Sequence, residues 1–290
     1  MVICKTAAHL QTFLENRRDT ASPIGFVPTM GALHDGHISL IINAKKSSNL
    51  VVSSIFVNPT QFNDPADFEK YPKTLTQDID LLTRAGCDVL FLPSVTEMYP
   101  EGVAGGPQYD LGFIETVYDG YYRPGHFQGV CRVVEKLLRV VTPDNLYLGQ
   151  KDYQQCMVIT KMCELTQLPV QIIICPTQRE SDGLAMSSRN LRLNPEARQT
   201  APNLHRIMQE TASQLQPGDL HRITDAAKKE LTQLGFKPDY FEFADAATLT
   251  PITNWNGTNP LVLLAAAFLD DVRLIDNLIP GKSKQNSAFQ

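Results

Sequence analysis

The chain is predicted to be an α/β protein: a doubly wound parallel sheet followed by a smaller α+β C-terminal domain. Three observations predict this. Short apolar runs alternate with helical patterns through about the first 175 residues, the signature of strands joined by crossover helices. The rhythm changes after a polar stretch at residues 182–192. The composition, 290 residues with 43% hydrophobic and 20% charged, is that of a globular chain long enough for one large domain or two unequal ones.

Taken in order, strands are expected near residues 24–27, 51–57, 88–92, 145–148 and 170–175, with helical patterns between them. The first of these, Ile24-Gly25-Phe26-Val27, reads as a short buried strand, and residues 38–44 read as the helix that follows. A second apolar helix is expected at residues 133–141. Beyond the polar loop come helices at about 195–214 and 218–234, then strands near 239–243 and 261–268. The domains are accordingly drawn as residues 1–178 and 179–290. The tail from Gly281, rich in Lys, Ser, Asn and Gln, is expected to be loose. The sequence shows no internal repeat and no low-complexity tract.

Charge and cysteine usage exclude several classes. A formal net charge of −5 argues against a general nucleic-acid surface. Six cysteines (Cys4, Cys87, Cys131, Cys156, Cys163, Cys175) include no Cys-x-x-Cys pair, and several lie in apolar runs, as reduced core residues of a cytoplasmic protein would. Lys5, His9, Gln11 and Glu15 interrupt the first residues, so no signal-peptide core is present, and residues 261–269 form too short an apolar run to span a bilayer.

The most informative stretch is Met30-Gly31-Ala32-Leu33-His34-Asp35-Gly36-His37, at the junction of the first expected strand and its helix. At such a turn free backbone N–H groups and the positive end of a helix dipole are expected to face outward and favour an anion. His34 and His37 are three apart, which on a helical first turn puts both rings on one face, and Gly36 lets a ligand approach the backbone. Two imidazoles could then hydrogen-bond one polyphosphate. A capped helix start with two surface histidines is the competing account; a zinc site lacks further ligands at suitable spacing.

Four further segments fall at expected strand ends or helix starts. Asn58-Pro59-Thr60-Gln61 offers two amides suited to hydroxyls and carboxylates, or is a Pro-containing turn. Gly149-Gln150-Lys151-Asp152, with Gln155 just beyond, offers space, a point charge for phosphate and an acceptor for ribose or a metal, or is a turn with a solvated Lys and a capping Asp. Met186-Ser187-Ser188-Arg189 lies in the polar loop with Gly183 and could close over a triphosphate, or link two domains. Arg123 and His126 precede the helix at 133–141 as candidate anion contacts, or belong to a surface turn.

Together these five segments resemble the pantothenate synthetase (pantoate-beta-alanine ligase) family, over nearly the whole chain from Phe26 to at least Asp271. The run from Pro28 through His37 is highly specific to it. The resemblance implies a Rossmann-like N-terminal domain with a smaller C-terminal lid, and an enzyme of the HIGH-type nucleotidylyl transferase group. It implies condensation of (R)-pantoate with beta-alanine through a pantoyl adenylate, with ATP going to AMP and pyrophosphate, Mg²⁺ on the nucleotide, and a homodimer.

By the same resemblance Met30, Gly31, Ala32, Leu33, His34, Asp35, Gly36 and His37 would hold ATP. His34 and His37 would lie on its phosphates, with His37 as catalytic acid. Gly149, Gln150, Lys151 and Asp152 would bind nucleoside and phosphates, with Lys151 catalytic, and Met186, Ser187, Ser188 and Arg189 would grip the triphosphate. Gln61 would hold pantoate and face beta-alanine, and Gln155 would hold pantoate. Gln178 stands at a nucleotide-contacting position where the family usually has an apolar residue, so its contact would be mainly through the backbone; Gln150 replaces a common Glu. Protein ligands for the metal remain unknown: Asp78 and Asp152 are candidates without a spacing argument. Another small-molecule adenylyl or cytidylyl transferase is one alternative, which should lack the Asn58-Pro59-x-Gln61 segment and Gln155; a nucleotide-binding protein without turnover is the other, against which stand the intact His34, His37, Lys151 and Asp152.

Overall fold

A computed structural model describes residues 1–18, 23–63 and 65–281; the tail beyond Gly281, expected to be loose, lies outside the described residues. The chain forms two compact units. The first is Met1–Gly149 with Gln155–Cys175; the second is Gln150–Gln154 with the chain from Pro176.

In the first unit six strands, β1 (Val2–Cys4), β2 (Ile24–Thr29), β3 (Leu50–Ile55), β4 (Val89–Phe91), β5 (Asn145–Gly149) and β6 (Gln171–Cys175), form one parallel sheet in the order β1-β4-β3-β2-β5-β6. The connections carry helices α1 (Ala7–Glu15), α2 (Asp35–Ser47), α3 (Pro65–Glu69), α4 (Leu75–Arg84), α5 (Val95–Met98), α6 (Tyr118–Tyr122), α7 (His126–Val141) and α8 (Tyr153–Leu165). This is the Rossmann-like doubly wound architecture. β2, β3 and β4 run outward from the centre one way and β5, β6 the other, so the order reverses between β2 and β5. In open α/β sheets ligands bind beyond the carboxyl ends of the strands at such a switch point. The turn after β2 and Gly149 at the end of β5 therefore occupy the position the topology favours. Val27, Leu40, Ile41, Val51, Leu82 and Leu90 pack one face of the sheet, each burial worth about 1.5–3 kcal/mol for an aliphatic side chain.

In the first unit the expected strands appear within two residues of their places, with one addition: the short edge strand β1. Two helices start earlier than expected. α2 begins at Asp35 because His34 caps it, and α7 begins at His126 after Gly125, whose φ of 77° turns the chain in.

The second unit is α+β. A three-stranded antiparallel sheet, ordered β11-β10-β8, is packed by α10 (Asn203–Ser213) and α11 (His221–Gln233). Its strands are β8 (Phe236–Asp245), β10 (Leu261–Leu269) and β11 (Val272–Leu278). A short helix α9 (Pro195–Thr200) precedes α10, and β7 (Gly218–Asp219) pairs with β9 (Asn254–Trp255). The single helix expected at 195–214 is thus two, broken before Asn203 at Pro202, which cannot supply an interior N–H. β11 was not expected from the sequence. Its pattern Val272-Arg273-Leu274-Ile275-Asp276-Asn277 ends on two residues depleted in strands, yet both are buried. Among the described residues no helix is long and apolar enough to cross a membrane.

Candidate active site

The turn after β2 is built from inside the protein. Gly31 and Ala32 both take left-handed backbone, at φ 81° and 49°. For alanine this costs roughly 1–2 kcal/mol. The cost is met by Asp78, 1% exposed on the buried face of α4, which accepts the N–H of Ala32 at 3.0 Å and of Leu33 at 2.8 Å. Hydrogen bonds to a charged group contribute about 1.5–3 kcal/mol each, so the carboxylate outweighs the strain it imposes. The Thr74 hydroxyl donates to it as well, at 3.0 Å. A Cβ on Gly31 would sit 3.1 Å from Asp78 Oδ2.

His34 then caps α2. Its Nδ1 accepts from Gly36 N at 3.2 Å, while His37 Nδ1 accepts from His34 N at 3.4 Å, a reciprocal capping box made by two imidazoles. The ring centroids lie 4.1 Å apart. With Nδ1 accepting in both rings, a neutral imidazole carries its proton on Nε2. Gly31 N–H donates to Thr29 Oγ1 at 3.2 Å. The expectation of outward-facing backbone N–H groups is therefore corrected: those of Gly31, Ala32, Leu33, His34 and Gly36 all have partners within the protein, because an unpaired buried N–H is too costly to leave. Asp78 is likewise no candidate metal ligand, since both of its oxygens are engaged by the turn.

Gln61 closes a short 3-10 turn at Pro59–Gln61. Its Oε1 accepts from Asn58 Nδ2 at 3.2 Å and its Nε2 reaches Met30 Sδ at 3.3 Å, so the Asn58 segment and the β2 turn meet. His126, a candidate anion contact or part of a surface turn from the sequence, is buried with Nδ1 2.7 Å from the Gln61 carbonyl, so the surface-turn account is corrected. Gly129 packs so tightly here that a Cβ would lie 2.2 Å from Thr60 O. Gln155 is half-buried on α8.

The remaining candidates belong to the second unit. Gln150, Lys151 and Asp152 form a 3-10 turn, with Lys151 Nζ 3.6 Å from Asp152 Oδ1. The polar loop proves to be a tight hairpin: Arg179 bridges Ala185, Glu180 N–H donates to Leu184 O, and Met186 N–H donates to Gln178 O at 3.0 Å. The Gln178 carbonyl is thereby occupied. Ser187 caps the next 3-10 turn (Ser188–Arg192), its Oγ accepting from Arg189 N, and Ser188 is buried. Two residues that organise these segments escaped the sequence reading, Asp276 and Asn277. Asp78 was noted only as a metal candidate. It stands four residues before Leu82 on the buried stripe of α4, and a carboxylate on an apolar stripe is the signal that could have identified it.

Among the described residues no three His, Cys, Asp or Glu side chains group to hold a metal ion. Asp152, partly exposed beside Lys151, remains as a single carboxylate donor.

Comparison with known proteins identifies the family. The family model described as Pantoate-beta-alanine ligase matches residues 2–279. A pantothenate synthetase from Porphyromonas gingivalis is 45% identical over 279 residues, covering 96% of this chain and 99% of that one. The crystal structure of pantothenate synthetase from Thermus thermophilus superposes with a TM-score of 0.86 at 41% identity, over 96% of this chain and 99% of that chain. The pantoate-beta-alanine ligase of Francisella tularensis, solved with beta-gamma ATP and beta-alanine, gives a TM-score of 0.81 at 37% identity, over 98% and 99%. The chain belongs to the pantoate-beta-alanine ligase family.

Proposed function

We infer that the chain is an ATP-dependent ligase that joins (R)-pantoate to beta-alanine through a pantoyl adenylate, releasing AMP and pyrophosphate. The family match across residues 2–279 carries it, supported by the relative that binds an ATP species and beta-alanine.

The chemistry has two steps. A carboxylate does not react with an amine, so a pantoate oxygen first attacks the α-phosphorus of ATP and pyrophosphate leaves. The amine of beta-alanine then attacks the carbonyl of the mixed anhydride and AMP leaves, with no covalent enzyme intermediate. Negative charge builds on the departing pyrophosphate in the first step. His34 and His37 meet it through Nε2–H, the direction their capping roles leave for donation; Lys151, Ser187, Ser188 and Arg189 add donors. Preorganised donors of this kind contribute most where they need no rearrangement during reaction. Met30, Gly31, Ala32, Leu33, Asp35, Gly36, Gly149, Gln150, Asp152, Gln178 and Met186 complete the ATP contacts. Gln61 holds pantoate and faces beta-alanine, Gln155 holds pantoate, and positioning with water exclusion carries the second step.

ATP use brings a divalent cation, and Mg²⁺ fits: it favours phosphate oxygens and waters with one or two carboxylates, and Asp152 is a carboxylate of that kind beside Lys151. When bound it neutralises phosphate charge. A homodimer in the cytoplasm, without nucleic-acid or membrane partners, completes the proposal.

Purified protein incubated with ATP, Mg²⁺ and (R)-pantoate, with and without beta-alanine, tests it. AMP release requiring both substrates is expected. ATP binding without pantoate-dependent pyrophosphate would overturn the substrate assignment.

A further inference from the structure

Successive side chains of a strand point to opposite faces of its sheet, and the two buried polar residues of β11 each reach a different segment. Asp276 takes the face of Val272 and Leu274, where the strand's period calls for a third apolar side chain. There it holds Arg179 in a two-point pair, Nη1 to Oδ2 at 2.6 Å and Nη2 to Oδ1 at 2.9 Å, with His205 Nδ1 3.5 Å from Oδ2. The same Arg179 Nη1 donates to Gly183 O at 3.2 Å. The guanidinium thus ties the hairpin that delivers Met186 and Ser187 to the sheet.

On the other face, Asn277 Nδ2 donates to the carbonyls of Gln150 at 2.8 Å and Lys151 at 2.9 Å, and Oδ1 accepts from Gln150 Nε2 at 3.1 Å. Two carbonyls facing one amide nitrogen fix the orientation of that amide, because an oxygen there would meet two acceptors. Its Oδ1 is compatible only with a donor at residue 150, and Gln150 supplies one.

We propose that Asp276 and Asn277 are positioning residues for the nucleotide, one dipeptide on β11 fixing the 179–187 hairpin from one face of the sheet and the 150–152 turn from the other. This rests on the reading that those two segments hold ATP. Neither residue touches substrate; each acts through the segment it holds.

The test is steady-state kinetics of Asn277→Asp and Asn277→Ala beside Lys151→Ala, with thermal unfolding of each. Asn277→Asp keeps the size of the side chain but cannot donate to the two carbonyls. It is expected to raise KM for ATP roughly tenfold, the equivalent of about one lost hydrogen bond, with KM for pantoate and beta-alanine within about twofold. Asn277→Ala should match it. A space-filling role predicts Asn277→Asp indistinguishable from the parent while Asn277→Ala is impaired, and that result overturns the proposal. So does a rise of all three KM values together in step with lost thermal stability. Lys151→Ala separates the two levels: if it is impaired while Asn277→Asp is normal, the positioning role alone fails; if Lys151→Ala is itself normal, the ATP assignment fails and the positioning role with it.

Discussion

Two buried aspartates hold the two sets of residues proposed to bind ATP, and they do so by different means. Asp78 in the first unit is surrounded by uncharged donors, two backbone N–H groups and the Thr74 hydroxyl. Asp276 in the second unit faces the Arg179 guanidinium and the His205 imidazole. Asp78 therefore fixes backbone shape: it stabilises a strained turn, and the histidines follow from the helix that starts there. Asp276 fixes a contact between elements distant in sequence by opposing charge. The difference teaches that this βα turn is held by one acceptor gathering backbone N–H groups, whereas this hairpin is tied down by an ion pair.

The charge-based anchor acts on the proton affinity of Asp276. Burial alone would raise the pKa of Asp276, but the neighbouring His205 imidazole and the paired Arg179 guanidinium outweigh it and hold the carboxyl below the usual range. A folded-state pKa below the unfolded value stabilises the fold at pH above about 3.9 and loses that stabilisation as pH falls through the folded value.

The comparison can be broken or sharpened by substitution. The largest effect is expected from Lys151→Ala, which should lower kcat by about 10²–10³, the usual cost of losing one preorganised donor, with an unchanged thermal midpoint; single-turnover pyrophosphate release measures it. Next, Gly129→Ala drives a Cβ to 2.2 Å from Thr60 O and 2.9 Å from Gln61 Cα. It should raise KM for pantoate more than KM for ATP and cost about 1–3 kcal/mol by overpacking, read from kinetics and urea unfolding.

Asp276→Asn should cost about 3 kcal/mol near pH 7, at the low end for one partner removed from a buried pair because Arg179 is partly exposed. Its gap in thermal midpoint from the parent should close as pH falls below about 4. A gap independent of pH would show that charge is not what ties the hairpin. Asp78→Asn replaces one acceptor oxygen by a donor aimed at an N–H, and should cost about 1–3 kcal/mol.

The smallest effect is a labelling rate. All six cysteines are buried thiols of the first unit, and burial pushes Cys87 and Cys131 up to about 12. Less than one thiol per chain should react with a disulfide reagent at pH 8. Asp78→Asn and Gly129→Ala should speed that reaction, and Asp276→Asn should not.

The first unit was more legible in the sequence than the second. Ile24, Val52, Leu90, Leu146 and Ile174 lie in apolar runs whose period and spacing announce a parallel sheet, and the turn signals sit where the strands end. What stayed hidden depends on partners far away along the chain. Asp276 and Asn277 look like the end of an element, since polar residues are depleted in strands; only Arg179, 97 residues earlier, and Gln150, 127 residues earlier, make them at home in one. The turn was found but its donors were misassigned, because nothing around Ala32 reveals that Asp78, 46 residues on, will claim its N–H.

The separation between Gln150 and Asn277 also bears on how the protein is made. Residues 150–152 leave the ribosome long before the strand that receives them, and their two carbonyls have no Asn277 amide until translation has passed that residue. All six strands of the parallel sheet, through β6, are translated before Asn277, so the latch on this turn is among the last contacts to become available. A chain stopped short of β11 would therefore carry the 150–152 turn without the contacts that fix its shape.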